Sequence, residues 1–389
     1  MFNYKLLKTK KGTFAHTGKI TTNHGVFKTP IFMPPGTQAT VKSLTPEDLK
    51  EIGVEILLVN TYHLFLRPGL KNLQIINKKA GDIHGFMNWP KSILSDSGGF
   101  QVWSLSQKKF QGGQPLAKIT EDGVNFKSPL NGEKCFFTPE LSIKTQHLIG
   151  SDIIMAFDEC TPDNGDHKYA LEAVERTTAW AKRCIEENNK LNKNKDSKKK
   201  LALFGIIQGS TFKDLRIKSA QEITALPFDG IALGGETIGY NMEKSKEIFD
   251  WVRNYLPKTK PIYMMGLGAK PQDVIDAVLS GADMFDCVSP ARLARHGILF
   301  EGTIKYKKGL PYWDSHFKDG KLNIMNSGFT NDFTPIDKNC HCYTCTHFTK
   351  SYLRHLLINK ELLYSRLATI HNLSVMLDTI HALRNWIEK

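Results

Sequence analysis

Three aspartates stand directly after short apolar runs, where an ionised carboxylate loses part of its hydration. Asp96 follows SILS, Asp158 follows DIIMAF and Asp286 follows MF. Each of them alone is equally well explained as a helix cap or as the partner of an arginine. Three such acids on different predicted strands favour a shared catalytic site. Gln208, in IIQGS, adds an amide that both donates and accepts hydrogen bonds, as a reader of a nucleobase edge must.

Paired glycines and paired arginines accompany these residues. Glycine pairs occur at 98/99 and 234/235, and they allow the backbone to approach a ligand closely. Arg292 and Arg295 are three residues apart, so they share one face of a helix that begins after Asp286. A salt-bridged helix start would account for them, but beside acids in a basic protein we favour contacts to phosphates or bases.

Three cysteines lie within six residues near the C-terminus, in CHCYTC. Cys340, Cys342 and Cys345 are close enough to bind one tetrahedral zinc ion. The spacing leaves two candidates for the fourth ligand, His355 and His371, both on the helical tail that follows. The odd total of seven cysteines argues against a disulfide framework. With four protein ligands the zinc is expected to be structural.

The elements that must position these residues form a regular series. Several of the intervening segments have the composition and periodicity of helices, for example KPQDVIDAVLSGA. Strand and helix alternating about eight times fit an α/β fold of the (β/α)8 (TIM) barrel type, with a doubly wound open sheet as the alternative. The eight apolar runs are TPIFMPPG, EILLVNTYHL, SILSDSGG, DIIMAFDE, LFGIIQG, GIALGG, IYMMGLG and MFDCVSP.

The barrel is preferred because candidate site residues follow five of the runs, the third to the sixth and the eighth, as they do where the loops of a barrel share one rim. The segment 98–151 is too long for a simple crossover and is expected to be a rim insertion, a small hairpin. We therefore predict a catalytic barrel over 1–298. The alternation of strands and helices stops there. Residues 299–389 are predicted to be a zinc-binding subdomain with C-terminal helices.

Composition narrows the class of protein. The formal net charge is +13, which suggests a polyanionic partner such as nucleic acid. Much of the excess lies in 188–200, which is expected to be a solvated loop. No run is long enough for a membrane helix, and the N-terminal segment is not of signal-peptide type, so we expect a cytoplasmic protein without membrane contact.

The motifs together resemble those of the bacterial-type tRNA-guanine transglycosylases, the queuine tRNA-ribosyltransferases. The resemblance covers nearly the whole chain and keeps the family order. The segments that carry it are TPIFMPPGTQATVK, VNTYHLFLRPG, LSDSGGFQVWSLS, MAFDEC, FGIIQG, MGLG, DMFDCVSPARLARHG and the C-x-C-x-x-C cluster with the distal His371.

The resemblance implies an enzyme that exchanges guanine at the wobble position of GUN-anticodon tRNAs for a 7-deazaguanine. Asp286 is then similar to the family's nucleophile, and Asp96 to its general acid/base. Arg292 and Arg295 match positions that contact the anticodon loop. His371 becomes the fourth ligand of the structural zinc, and the family implies a homodimer formed through the zinc region. The positions that match the base-binding pocket are Ser97, Phe100, Asp158, Cys160, Gln208, Gly235, Glu236 and Met265.

One departure from the family concerns the incoming base. Bacterial members usually read GGLAVGE after the sixth strand, whereas this chain reads GGETIGY at 234–240. The Glu236 carboxylate is suited to pair with the amine of 7-aminomethyl-7-deazaguanine (preQ1), which we favour, but a pocket widened for queuine is the alternative. A non-catalytic tRNA-binding subunit is a further alternative, although such a protein is expected to lack Asp286 or Asp96.

Overall fold

The eight apolar runs of the sequence all form strands. The structure is a computed structural model, and it describes residues 2–106, 115–163, 165–193, 195–196, 200–235 and 237–389. Its strands are β1 (Asn3–Thr9), β2 (His16–Thr22), β3 (Gly25–Thr29), β4 (Ile31–Met33), β5 (Ile56–Val59), β6 (Ser92–Ser95), β7 (Ala117–Thr120), β8 (Gly123–Lys127), β9 (Lys134–Phe137), β10 (Ile153–Met155), β11 (Ala202–Ile207), β12 (Gly230–Leu233), β13 (Ile262–Met264), β14 (Met284–Asp286), β15 (Ile298–Phe300), β16 (Thr303–Lys307), β17 (Leu310–Asp314) and β18 (Lys321–Asn323).

Helices connect most of these strands, and the longest ones follow the predicted helical segments. The helices are α1 (Pro46–Glu51), α2 (Thr61–Leu64), α3 (Leu70–Ala80), α4 (Ile83–Met87), α5 (Gly99–Ser106), α6 (Pro139–Ile149), α7 (His167–Asn192), α8 (Lys213–Thr224), α9 (Met242–Val252), α10 (Pro271–Ser280), α11 (Ser289–Arg295), α12 (Tyr343–His347), α13 (Lys350–Ile358) and α14 (Leu362–Glu388).

Local sequence signals set several helix ends. Thr45 and Asp48 form a capping box at the start of α1, with Pro46 in the first turn. At the start of α6 the Thr138 hydroxyl accepts a hydrogen bond from Leu141 N–H, and Gly150 ends that helix with a positive φ of 78°. These local signals mark where the two helices begin and where α6 ends.

Within the described residues, one sheet contains eight parallel strands in the order β4-β14-β13-β12-β11-β10-β6-β5. Its two edges meet, because Leu58 bridges Pro35 in parallel and its carbonyl accepts a hydrogen bond of 2.6 Å from Gly36 N–H. The predicted (β/α)8 barrel is therefore confirmed, and the open sheet is excluded. The strands β5, β6, β10, β11 and β12 are buried along their whole length, as strands covered on both faces must be.

The N-terminal end of the barrel is closed by an antiparallel sheet that the sequence did not indicate, β1-β2-β3. Ile20 and Phe27 of this sheet are buried in one cluster with the side chains that fill the barrel. Phe2 packs edge-on against Phe204 with ring centroids 5.7 Å apart. Among the described residues, this sheet covers the N-terminal end of the barrel, and the carboxyl ends of the strands lie at the opposite end.

The predicted rim insertion lies between β6 and β10. It contains α5, an antiparallel sheet β7-β8-β9 and α6, so it is larger than the expected hairpin. Residues 107–114 of this segment lie outside the described residues.

The C-terminal part joins two structural units. Hairpin β16-β17, the pair β15-β18 and the helices α12 and α13 precede α14. This last helix packs against α10, α11 and β4, and its Arg366 forms an ion pair of 2.6 Å with Asp48 of α1. Arg384 donates 2.8 Å to the carbonyl of Pro30. Helix α14 thus takes a place in the helical ring of the barrel, and the domain boundary at 298/299 stays a prediction.

No described helix combines the length and the apolar composition that crossing a membrane requires.

Candidate active site and metal cluster

A cavity of about 330 Å³ opens at the carboxyl ends of the barrel strands. It brings together residues from the loops after β5, β6, β10, β11, β12, β13 and β14. The predicted site residues that line it are Asp96, Ser97, Phe100, Asp158, Cys160, Gln208, Gly235, Met265 and Asp286. Glu236 lies outside the described residues.

Asp286 ends β14 and is held by two donors from the neighbouring strand. The Tyr263 hydroxyl donates 2.5 Å and the Gly266 N–H donates 2.9 Å, both to Oδ1. Burial raises the pKa of Asp286, and the two hydrogen bonds counteract part of that rise. The sequence did not single out Tyr263, because a tyrosine inside IYMMGLG has the signature of an ordinary strand residue.

Asp96 follows β6 and lies over the start of α2. Thr61 N–H donates 2.7 Å to its Oδ1, and the Asn60 side-chain amide donates to Oδ2. Burial raises the pKa of Asp96 to about 7, and the charge of Asp286 adds to the rise. Asp96 can therefore hold or release a proton near neutral pH, as a general acid/base must. Asn60 and Thr61 were missed, although VNTY contains the residue type that caps a helix.

Asp158 forms a hydrogen-bonded unit with its neighbours. It accepts 2.9 Å from the Ser97 hydroxyl and 2.7 Å from the Gln208 Nε2. Burial raises the pKa of Asp158 to about 6. The Gln208 Oε1 is buried and has no hydrogen-bond partner among the described residues. A buried acceptor without a partner is costly in the free protein, so a ligand donor at this place would relieve that penalty.

The glycine pairs prove to be needed by the protein itself. A Cβ on Gly234 would lie 2.7 Å from the Gln208 Nε2, and one on Gly235 would lie 2.6 Å from the Arg216 Nη2. A Cβ on Gly99 would lie 2.4 Å from the carbonyl oxygen of Asp158. The glycines therefore permit the rim loops to contact one another, which is a different use from the ligand approach that the sequence suggested.

Two apolar side chains and two arginines complete the predicted set. Phe100 is 46% exposed on α5, and Met265 is half-buried after β13. Arg292 is exposed on α11, and Arg295 donates 2.8 Å to the Ala291 carbonyl on the same helix. Neither arginine lines the cavity, but α11 begins three residues after Asp286 and carries both of them beside it.

The cysteine cluster closes around the tail helix α14. The Nδ1 of His371 lies 3.7 Å from Cys340 Sγ, 3.5 Å from Cys342 Sγ and 3.4 Å from Cys345 Sγ. Metal bonds of about 2.3 Å to sulfur and 2.0 Å to nitrogen separate these atoms by about 3.5 Å in a tetrahedral site. The Nε2 of His371 lies 2.7 Å from the Phe300 carbonyl, which orients the ring with Nδ1 toward the thiols. The four side chains fit a metal ion, and the geometry selects His371.

A second group of potential ligands lies near the closed end of the barrel. Ligand atoms of His24, His84 and Asp152 lie within 4.8 Å of one another. The two imidazole rings are stacked 3.6 Å apart at an angle of 20°. A ligand nitrogen binds a metal in the plane of its ring, and two nearly parallel planes at this separation do not share one ion. We interpret the group as a hydrogen-bonded contact between β2-β3, α4 and the start of β10.

Fold and cavity define a (β/α)8 barrel with a cavity lined by buried carboxylates and, apart from it, a Cys3His cluster that fits a metal ion. The family model described as "Queuine tRNA-ribosyltransferase" matches residues 11–389. Queuine tRNA-ribosyltransferase of Caldanaerobacter subterraneus subsp. tengcongensis is 46% identical over 386 residues, which cover 99% of this chain and 93% of the relative. The protein of the same name from Bacillus subtilis is 44% identical over 386 residues, which cover 99% of this chain and 92% of that relative.

The chain belongs to the queuine tRNA-ribosyltransferase family. It is accordingly a tRNA-guanine transglycosylase, a pentosyltransferase of the queuosine pathway. The family expectation drawn from the sequence motifs is confirmed, together with the barrel fold.

Replacing one ligand tests the metal cluster. Cys342→Ser removes a thiolate, so bound metal should fall from about one ion per chain to well below half, and the midpoint of thermal unfolding should drop by several degrees. Elemental analysis of the purified protein and calorimetry measure both. Cys135→Ser, at a half-buried cysteine outside the cluster, is the control and should change neither. Unaltered metal content in Cys342→Ser would contradict this ligand set.

Proposed function

We propose that the protein exchanges guanine at wobble position 34 of GUN-anticodon tRNAs for a 7-deazaguanine, with preQ1 favoured, through a covalent aspartyl-RNA intermediate. One observation carries the proposal. Two carboxylates on different strands, Asp286 and Asp96, share one cavity with the Asp158–Gln208 pair. Nucleophile, proton carrier and base reader are thereby all within reach of one nucleotide.

The exchange consists of two displacements at C1′ of the ribose. The Asp286 carboxylate attacks C1′, the bond from C1′ to N9 of guanine breaks, and the electron pair leaves with the base. Asp96 supplies the proton that neutralises the leaving guanine. It then takes a proton from the incoming base, which attacks C1′ and displaces Asp286. Each displacement inverts C1′, so the β configuration is retained and Asp96 ends in its starting form.

Base recognition follows from complementary donors and acceptors. The guanine edge offers N–H donors at N1 and N2 and an acceptor at O6. Asp158 and the unpartnered Gln208 Oε1 are acceptors for the former, and the Gly235 N–H is a donor for the latter. Ser97 and Cys160 line the same wall, while Phe100 and Met265 supply apolar surface on which a base can stack, worth about 1–3 kcal/mol.

RNA contacts involve α11. The target guanosine must leave the anticodon stack before its glycosidic bond can be reached. Arg292 and Arg295 are proposed to contact phosphates or bases of the neighbouring nucleotides, and the net charge of +13 favours tRNA over long range.

The preference for preQ1 derives from the sequence GGETIGY. A carboxylate at Glu236 would pair with the cationic aminomethyl group of preQ1. Queuine, with a bulkier substituent on the same amine, is the alternative that an exchange assay distinguishes.

Zinc is the metal that we propose for the cysteine cluster. Three thiolates and one imidazole are its preferred tetrahedral donors, and four protein ligands leave no coordination position for a substrate. The ion would hold α12 against α14, and the chemistry of base exchange is left to the carboxylates.

We also propose a homodimer formed through the zinc region. The rings of Tyr343, Phe348, Tyr352 and His355 form a continuous row on α12 and α13, with Phe348 and Tyr352 stacked at 5.5 Å. Tyr352 is 40% exposed, and Leu362 nearby in sequence is 87% exposed. Exposed aromatic rows with apolar neighbours are typical of protein interfaces.

The function is tested by displacement of radiolabelled guanine from tRNA with GUN anticodons, with preQ1 and queuine offered in parallel. We expect release with preQ1 and little release with queuine. A tRNA whose wobble guanine is replaced by adenine is the control. Release by queuine alone would indicate a salvage enzyme, and an enzyme that releases no guanine with any base would refute the proposed exchange.

Asp286→Asn removes the attacking oxygen with little change in shape. Exchange should fall on the order of 10³-fold or more, and the covalent enzyme–RNA band on denaturing gels should vanish. Asp276→Asn, at a partly exposed acid on α10, should retain both. A band that persists in Asp286→Asn would assign the nucleophile to another residue.

The exchange rate should depend on pH as a bell. Asp286 must be ionised, so activity is lost as pH falls through its raised pKa, while Asp96 must carry a proton, so activity is lost as pH rises above about 7. Tyr263→Phe removes a hydrogen bond that lowers the pKa of Asp286, so the acidic limb should move to higher pH by about one unit. Tyr62→Phe is the control, because the Tyr62 hydroxyl is buried and has no hydrogen-bond partner in the part of the chain that the structure describes. If the acidic limb of Tyr263→Phe stays at the pH of the unaltered enzyme, that limb does not report the ionisation of Asp286.

Tyr352→Glu tests the dimer by placing a charge within the aromatic row. Sedimentation should change from the mass of two chains to that of one, 43.9 kDa. Tyr306→Glu, at a tyrosine on β16 that is 52% exposed, should keep the mass of the unaltered protein. If Tyr352→Glu remains a dimer, the dimer interface lies elsewhere on the protein.

A further inference from the structure

A fully buried arginine lies beneath the base-binding wall of the cavity, and no step described so far uses it. Arg216 of α8 has 0% exposure. Its Nε donates 2.8 Å to the Ser210 carbonyl, and its Nη1 donates 3.0 Å to Ile207 and 2.7 Å to Gly234. One guanidinium therefore ties together the ends of β11 and β12, where Gln208 and Gly235 line the cavity.

The bond to Gly234 sets the direction of the next peptide group. In a trans peptide the C=O and the following N–H point in opposite directions. Since the Gly234 carbonyl points at Arg216, the Gly235 N–H points away from it, and both glycines line the cavity. No acceptor for this N–H occurs among the described residues. A peptide turned over would present an acceptor to the ligand in place of a donor.

The charge of Arg216 acts on the same peptide. Burial lowers the pKa of Arg216 to about 10, so the guanidinium remains charged at neutral pH. Its Nη2 has no hydrogen-bond partner among the described residues. A cationic donor on a carbonyl polarises the peptide and strengthens its N–H as a donor, more so in a buried site.

We propose that Arg216 is a positioning residue that holds and polarises the Gly234–Gly235 peptide, so that its N–H donates to the carbonyl oxygen of the bound purine. The proposal rests on the proposed function, in which this cavity binds guanine. Arg216 would then select bases with an acceptor at position 6. It also stabilises the negative charge that reaches this oxygen while the bond from C1′ to N9 breaks and before the base is protonated.

The test compares guanine with 6-thioguanine, which keeps the N–H groups of the edge but replaces the oxygen by a weaker acceptor. Equilibrium binding of both bases is measured for the unaltered enzyme, Arg216→Met and Arg216→Lys. The unaltered enzyme should prefer guanine about tenfold or more. Arg216→Met should lower guanine affinity about tenfold and 6-thioguanine affinity much less, so that the preference shrinks toward one. Arg216→Lys keeps a charged donor and should therefore retain part of the preference for guanine.

Arg384→Met is the matched control. Arg384 is also buried and also donates to backbone carbonyls, but it lies on α14 at the closed end of the barrel. The substitution Arg384→Met should reduce the stability of the protein and leave the ratio of the guanine and 6-thioguanine affinities unchanged. Equal losses for both bases in Arg216→Met, or a reduced ratio in Arg384→Met, would overturn the proposal, since a merely structural arginine gives either result.

Two further outcomes separate this inference from the proposed function. If Arg216→Met does not fold, the unaltered enzyme and Arg216→Lys decide, and an unaltered enzyme that binds both bases equally overturns the inference. An enzyme that exchanges guanine in tRNA but shows no coupling between Arg216 and the oxygen refutes the inference alone. An enzyme that neither binds guanine nor exchanges it refutes both.

Discussion

The burial of three carboxylates at one end of the barrel is the constraint on which the site depends. Asp96, Asp158 and Asp286 all have raised pKa values, chiefly because burial disfavours their charged forms. Each carboxylate accepts hydrogen bonds from a different set of donors, which offset part of the cost of burial. The donors are the start of α2 for Asp96, a serine and a glutamine for Asp158, and a tyrosine with a backbone amide for Asp286. Because the donors differ, the acids can differ in proton affinity, as the proposed roles of Asp286 as nucleophile and Asp96 as general acid/base require.

The rest of the barrel serves to keep these donors in place. The sheet β1-β2-β3 covers the opposite end, where its side chains form one buried cluster with those inside the barrel. The rim insertion packs on the mouth through α5 and α6, where the Ser142 hydroxyl donates 2.6 Å to the Ser97 carbonyl. Below β11 and β12, Arg216 fixes the two loops that carry the glutamine and the glycine pair. The proposed exchange requires that water be excluded here, since water that reached the proposed ribosyl intermediate would hydrolyse it.

The sequence predicted the fold and the charged half of the site well. Eight apolar runs identified the barrel, and aspartates at their ends identified the cavity, because both signals are local. Tyr263, Asn60 and Arg216 were not predicted, since a strand tyrosine, a loop asparagine and a helical arginine are common, and their contacts form only between strands far apart in the chain. Spacing alone left two histidines as candidates for the fourth metal ligand; the family resemblance selected His371, and the packing of α14 brings its ring to the three thiols. The departure at Glu236 lies outside the described residues and stays a sequence argument.

Helix α14 carries His371 of the cysteine cluster in its first half. Near its end it carries Arg384, which anchors the helix to the barrel. A single rigid helix that belongs to both units couples their unfolding equilibria. If a metal ion binds the cluster, the free energy of its binding is shared by the barrel, and loss of that ion weakens the packing under β4, far from the cysteines. With the proposed metal site, the supply of a trace metal and the persistence of a tRNA-modifying activity are thermodynamically linked through one helix.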